Sequence, residues 1–375
     1  MGKLSNVIVS GGGTGGHIHP ALAIADEIVR RNPDAKVRFV GALGRMEMDK
    51  VPAAGYDIDG LWITGIERKL PSPRNLVFPF MLLSSLWKAR RLLKRHQPQA
   101  VVGVGGFASG PLLHQAVRMN MPTLIQEQNS FPGVTNRLLA NRVRLVCAGM
   151  PGMERWFPST QLVVTGNPLR QHVVQLAKPH DGQHEEALRH FGLKIDLPVV
   201  FVMGGSLGAV SMNDAVKAIL AAQPCAAQRG YQLLWQCGGR HESDAQAWLK
   251  TNPCDGVVCL GFVDRMDLAY GAARLIASRA GAMSVAELAL VGKPALLVPS
   301  PNVAEDHQTH NALSLTELGG AELLPDHLVR ETLGIAVTRL LQDPEACASM
   351  AQAMQNAAKP NAAAAVVDEL ERLID

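Results

Sequence analysis

Apolar residues along this chain follow two rhythms. Short apolar runs recur at residues 36–40, 100–104, 122–126, 145–148 and 162–165, after a first β-branched run at Val7, Ile8 and Val9. A second series follows at 198–203, 232–236, 256–259, 275–277 and 295–298. Between most of them lie longer stretches in which apolar positions return every three or four residues, as at 20–31 and 211–222. Unbroken runs fit strands buried on both faces; the longer spacing fits helices with one apolar stripe. Their alternation predicts an α/β chain of parallel sheets covered by helices on both sides.

Two series predict two Rossmann-like, doubly wound domains, and 375 residues supply enough chain for two cores. Gly166-Asn167-Pro168 punctuates the chain between them, so domains are expected at 1–166 and 167–358. A second break at Lys359-Pro360-Asn361 precedes a helical segment, 361–375, that carries Val366, Val367, Leu370 and Leu373. That segment has an apolar face for either domain, including a return to the first.

Composition narrows the class. No run of about 18 apolar residues is present, and no basic stretch leads into an apolar signal core, so a cytosolic chain is expected. Six cysteines without a CxxC pair or zinc spacing read as reduced structural thiols. A net charge of +3 does not favour nucleic acid as a partner. The charge is uneven, however. Between residues 65 and 98 eight basic side chains face the single acid Glu67, which leaves the rest of the chain net acidic.

Within that basic stretch Pro79 suits a first helical position. From there Phe80, Leu83 and Trp87 fall on one helix face, continued by Arg90, Arg91 and Lys94. Leu82, Leu86, Ala89 and Leu93 fall on another, roughly 110° away at about 100° per residue. The second face is expected on the sheet. The first, apolar at one end and cationic at the other, has the pattern of a helix resting on an anionic membrane surface, as a peripheral protein. Two buried faces with solvated arginines are the plainer alternative.

Glycine loops follow strands in both halves: residues 11–16, 105–111, 204–208, 238–239 and 279–282. In open α/β sheets ligands bind beyond the carboxyl ends of strands, and glycine lets backbone N–H groups approach an anion at a helix start. Two such domains facing each other would line one cleft. Gly11-x-Gly13-x-x-Gly16 matches the dinucleotide fingerprint, but the second strand ends Val40-Gly41-Ala42 without the acid a nicotinamide ribose needs. No Lys-Ser/Thr pair follows, so this is not a Walker loop.

Other residues carry candidate chemistry. His17, at the expected helix start, is a candidate general base or a simple phosphate contact, with His19 the weaker choice. Ser206 offers a hydroxyl to a diphosphate, and Arg170 a guanidinium just past the seam. Glu287, about a turn inside a helix, has the reach to accept ribose hydroxyls or is helix decoration. Asp306-His307-Gln308 follows a proline-rich loop and suits sugar hydroxyls. Asp57 and Asp59 resemble the acidic pair of metal-dependent sugar transferases but read better as strand or turn. No motif calls for a metal or an organic cofactor.

Taken together these residues closely resemble the GT-B glycosyltransferases of the MurG family, the undecaprenyldiphospho-muramoylpentapeptide β-N-acetylglucosaminyltransferases of bacterial cell-wall synthesis. The resemblance runs nearly end to end, through the Gly-Gly-Thr-Gly-Gly-His ending at His17, residues 105–111, Gln126-Glu127-Gln128-Asn129, 166–170, 204–209, 279–287 and Asp306-His307-Gln308. It implies transfer of N-acetylglucosamine, with inversion, from its uridine diphosphate carrier to the C4 hydroxyl of lipid-linked N-acetylmuramoyl pentapeptide, at the cytoplasmic face of the inner membrane. By position, Ser206 and Arg170 would meet the diphosphate, Glu287 the ribose, the backbone near Val263 the uracil, and Gln308 the sugar. Ala282, Met283, Ser284, Val285 and Ala286 would present a helix start to phosphate. Thr14, Gly15, Gly16 and Asn129 would lie on the acceptor side. Ser284 stands where threonine is usual and Ala286 where serine is common, which removes a side-chain hydrogen bond at 286. A sugar-nucleotide epimerase, a glycolipid synthase and, further off, a nicotinamide dehydrogenase remain alternatives.

Overall fold

A computed structural model describes residues 3–65, 73–157, 162–176, 182–205 and 208–375. The chain divides into two compact units, residues 1–171 with 359–375, and residues 172–358. In the N-terminal unit the order is β1 (Asn6–Gly11), α1 (Gly15–Arg31), β2 (Lys36–Ala42), α2 (Glu47–Ala53), β3 (Asp57–Leu61), α3 (Pro73–His96), β4 (Ala100–Gly105), α4 (Ser109–Arg118), β5 (Thr123–Glu127), α5 (Val134–Ala140), β6 (Leu145–Ala148) and β7 (Leu162–Val164). Then follow α6 (Gln171–Leu176), α7 (Gln183–Phe191), β8 (Val199–Met203), α8 (Val210–Ala222), α9 (Ala226–Arg229), β9 (Gln232–Gln236), α10 (Glu242–Thr251), β10 (Val257–Leu260), α11 (Met266–Ala272), β11 (Ala273–Ser278), α12 (Ala282–Val291), β12 (Ala295–Leu297), α13 (His307–Thr316), β13 (Ala321–Leu323), α14 (Val329–Leu341), α15 (Pro344–Ala357) and α16 (Ala362–Ile374).

Among the described residues the N-terminal unit holds a seven-stranded sheet in the order β3-β2-β1-β4-β5-β6-β7, and the C-terminal unit a six-stranded sheet in the order β10-β9-β8-β11-β12-β13. Every pairing is parallel. Both orders reverse direction after the first strand of their unit, which puts the loops after β1 and β4, and after β8 and β11, at the switch points where ligands bind. The central strands are buried end to end, β4 and β8 at every residue. That is why they read as unbroken apolar runs.

The N-terminal sheet has two apolar layers. Val7, Val9, Ile24 and Ile28 pack on one face, and Ile8, Leu93, Leu112 and Leu113 on the other. Val366, Val367 and Leu370 of α16 belong to the first of these, so the last helix lies on α1. Ions pin it: Arg31 on α1 meets Glu27, Asp368 and Glu371 at 2.7–2.9 Å.

Several sequence expectations change. The first unit runs to Gln171, three residues past Pro168 of the Gly166-Asn167-Pro168 seam. Asn167 explains this: its amide accepts from Gln126 at 3.2 Å and donates to the Gln128 carbonyl at 3.0 Å, tying the segment to the first unit. Helix α3 begins at Pro73, so Pro79 is interior rather than first. Pro79 is exposed, on the outer side of the helix. Helix α1 likewise starts at Gly15 and runs through the buried Pro20. Strands β3 and β13 join the two sheet edges; Asp57 and Asp59 sit on β3, where Arg38 of β2 pairs with Asp57 at 2.9 Å.

Candidate functional site

In the C-terminal unit the site grows from two strand-to-helix turns. After β8 the chain turns through Gly205 and Gly208 at φ +83° and +77° before α8. A Cβ on Gly208 would lie 2.2 Å from the Cys237 carbonyl oxygen, and one on Gly204 2.6 Å from the Ala209 nitrogen, so only glycine lets this loop lie against the end of β9. After β11, Gly281 caps α12. Neither α8 nor α12 carries an acid in its first turn. The α12 start keeps its positive end; at α8 the first-turn Ser211 hydroxyl donates to Asp326 at 2.6 Å, which brings a carboxylate to that end.

These turns line a cavity of about 710 Å³ with Ser211, Ser284, Gln308 and Arg279. Arg279 is built into the wall: Nη1 donates to the carbonyls of Val298 and Pro299 at 3.1 and 3.2 Å and to Asp326 at 2.5 Å, and Nη2 to the Ser211 hydroxyl at 2.9 Å. Its charge is matched by Asp326, so it shapes the cavity more than it charges it. Gln308 Oε1 accepts from the Ser300 N–H at 2.8 Å, which leaves Nε2 as the donor end. Glu305 and Asp306, just before it, adopt left-handed backbone at φ +55° and +49°, a costly conformation for non-glycine residues.

Ala282, Met283, Ser284, Val285 and Ala286 form the opening of α12, with Ala282 and Val285 turned into the core. Glu287 follows, half-buried, and burial raises its carboxyl to about 7 while a Tyr270 O–H bond at 3.2 Å pulls it down. Val263 buries its side chain, so only its backbone is available to a ligand; the adjacent Phe262 is exposed. Val263 and Glu287 lie outside the lining of the cavity. Ser206 falls outside the described residues, as do Arg68 and Lys69 of the basic stretch.

In the N-terminal unit His17 occupies the first turn of α1. Its Nδ1 stands 3.0 Å from the Gly12 carbonyl oxygen. A carbonyl only accepts, so Nδ1 carries the proton and Nε2 the lone pair. The ring rests on Gly105, where a Cβ would come within 2.6 Å of Cδ2 and 2.7 Å of Nε2. Thr14 Oγ1 is 3.4 Å from Nδ1, and the Thr14 carbonyl accepts the N–H groups of His17 and Ile18.

Two buried acids with no role assigned above organise these loops. Glu47 accepts from the Gly13 N–H at 2.8 Å and the Ala42 N–H at 3.0 Å. Part of the glycine loop, at Gly13, thus binds a carboxylate of its own chain. Glu127 gathers Asn129 (backbone and side chain), the Gly133 N–H and Asn136 at 2.8–3.3 Å. The only hint was their position: Glu47 after a short glycine turn, Glu127 between two glutamines. Arg170, expected on the second domain, belongs to the first unit, and its Nε donates to Asp26 at 2.8 Å. Asp26 also accepts from Tyr56 at 2.8 Å.

On α3 the expected faces separate. Phe80, Leu83 and Trp87 are 64–68% exposed, and Arg90, Arg91 and Lys94 are exposed after them. Arg91 stacks over Trp87 at 5.6 Å. Ala89 and Leu93 are buried, with Leu82 and Leu86 half-buried. Among the described residues no helix is long and apolar enough to cross a membrane, and no three His, Cys, Asp or Glu side chains cluster as metal ligands.

Comparison with known proteins decides the family. Residues 7–147 match the glycosyltransferase family 28 N-terminal domain, and 199–366 its C-terminal domain. A UDP-N-acetylglucosamine–N-acetylmuramyl-(pentapeptide) pyrophosphoryl-undecaprenol N-acetylglucosamine transferase of Christiangramia forsetii is 47% identical over 98% of each chain. This chain belongs to that transferase family. Its fold matches solved MurG of Acinetobacter baumannii with a TM-score of 0.78 and 29% identity, over 98% of this chain and 99% of that one. The UDP-GlcNAc 2-epimerase of Neisseria meningitidis shares the GT-B fold at a TM-score of 0.67 but only 15% identity, over 98% of this chain and all of that one. The epimerase likeness is one of fold alone.

Proposed function

We infer that this chain is an inverting hexosyltransferase. It moves N-acetylglucosamine from UDP-N-acetylglucosamine to the C4 hydroxyl of undecaprenyl-pyrophosphoryl-N-acetylmuramoyl pentapeptide, in peptidoglycan synthesis. The observation that carries this, beside family membership, is the cavity of the C-terminal unit, where the start of α12, with no acid in its first turn, meets Ser284 and Gln308. Leaving-group charge on a diphosphate suits such a fixed dipole, which needs no reorganisation as the bond breaks. Ser206 is proposed to add a hydroxyl there; Arg170, ion-paired to Asp26 in the N-terminal unit, is not assigned to this cavity. Glu287 is proposed to take the ribose, the Val263 backbone the uracil and Gln308 the sugar.

Inversion is one in-line displacement: the acceptor oxygen bonds to the anomeric carbon as the bond to the diphosphate oxygen breaks. The acceptor hydroxyl gives up its proton as it attacks, and His17 is proposed to receive it on Nε2. The tautomer set by the Gly12 carbonyl supports this role. Thr14, Gly15, Gly16 and Asn129 are proposed to line the acceptor side.

The exposed face of α3 supports peripheral attachment to the cytoplasmic leaflet, where Phe80, Leu83 and Trp87 enter the interface and Arg90, Arg91 and Lys94 meet anionic headgroups. The deciding experiment supplies the purified chain with lipid-linked muramoyl pentapeptide in vesicles and UDP-N-acetylglucosamine, UDP-glucose or UDP-N-acetylgalactosamine in turn. Mass analysis should find one added N-acetylhexosamine only with the first. No product, or equal products with all three, overturns the reading.

A further inference from the structure

Glu287 does not stand alone. Tyr270, on α11, places its hydroxyl 3.2 Å from Glu287 Oε2. The ring is 5% exposed and rests edge-on against Phe201 of β8, with centroids 6.1 Å apart, so the hydroxyl has little freedom to move. A phenol buried at a carboxylate donates to it, and a donor to the charged form favours that form. One oxygen of Glu287 is thereby occupied and the other left over.

We propose that Tyr270 is a positioning residue for donor recognition, holding Glu287 Oε2 so that Oε1 is presented to the ribose hydroxyls. The proposal rests on the assignment of Glu287 to the ribose given above. It adds a specific chemistry: the ribose site takes the carboxylate form that burial disfavours, and the phenol shifts the balance back towards it. Burial and Tyr270 are the two influences on this carboxyl. His307 and His310 of α13 and Glu345 of α15 are the titratable histidine and carboxyl groups on the helices packed against α12.

The test is calorimetric titration of the full chain with UDP-N-acetylglucosamine from pH 5.5 to 9, a range in which the diester diphosphate of the ligand does not titrate. Wild-type affinity should rise through a midpoint near 7, set by burial of Glu287. Glu287→Gln should weaken binding and flatten the profile. Tyr270→Phe keeps the ring packing but removes the donor. Its midpoint should move alkaline by about one pH unit, giving roughly fivefold weaker binding at pH 7 and wild-type affinity at the alkaline plateau. Incorporation of 3-fluorotyrosine at the chain's three tyrosines strengthens the donor and should move the midpoint the other way.

An unshifted midpoint in Tyr270→Phe, or equal weakening at every pH, overturns the role of Tyr270. The fluorinated chain decides the matter independently if the phenylalanine variant fails to fold: a midpoint left unchanged refutes the proposal. If Glu287→Gln instead binds with wild-type affinity and slope, the ribose assignment itself is wrong. The two failures are therefore distinguishable.

Discussion

Gly105→Ala should inactivate the enzyme through His17 without touching donor binding. The added methyl would sit 2.6 Å from His17 Cδ2 and 2.7 Å from Nε2. Ordinary carbon contacts begin at about 3.5 Å, so the imidazole must retreat by about 0.9 Å. A misplacement of about 1 Å costs on the order of 100-fold in rate. Position 105 also holds φ +108°, which adds roughly 1–3 kcal/mol of backbone strain for alanine. Strain alone is controlled by Gly44→Ala, where φ is +72° and nothing lies within 4 Å of the new methyl. The assay is steady-state transfer of labelled N-acetylglucosamine to the lipid-linked acceptor, with thermal denaturation alongside. Both variants should melt several degrees early. Only Gly105→Ala should lose kcat, by about two orders of magnitude, with an unchanged Kd for UDP-N-acetylglucosamine. His17→Ala should lose about 10²–10⁴-fold, and adding Gly105→Ala to it should cost little more. Full activity in Gly105→Ala would refute the reasoning, as would losses that multiply in the double variant.

Charge reversal of Arg90, Arg91 and Lys94 together should weaken binding to vesicles containing anionic lipid by at least about 3 kcal/mol, taking about 1 kcal/mol for each cation removed. Sedimentation with such vesicles measures this, and unchanged binding removes the membrane reading of α3. Glu27 offers an acid-stability test. Its hydrogen bonds to Arg30 and then Arg31 outweigh burial and hold its carboxyl below the usual value of 4.5. The stabilisation is therefore complete above pH 4.5 and is lost as pH falls through the lowered folded value. Between pH 5 and 3 the melting temperature of Glu27→Gln should fall less steeply than that of the parent chain; parallel curves would contradict this.

The strand-and-helix rhythm was legible because parallel strands buried on both faces leave unbroken apolar runs, as in β4 and β8. Edge strands are not buried that way. β3 carries Asp57 and Asp59 and β13 is three residues long, so neither shows such a run. Pro79 misled because a local rule about helix starts ignores what precedes it; Pro73 had already opened the helix. The two exposed and buried faces of α3 were legible from spacing alone. Glu47, Glu127 and the Arg170–Asp26 pair were not. Each satisfies backbone or side-chain partners 2 to 144 positions away in the chain, and no periodicity records a tertiary hydrogen bond.

Helix α16 has a consequence for how the chain is made. The apolar layer under β1 and β4 is completed by Val366, Val367 and Leu370, synthesised after the whole of the second unit. Residues 172–358 are all available to fold before those three leave the ribosome. The half made first is finished late: α16 must be made before the lobe carrying His17 can close its own core.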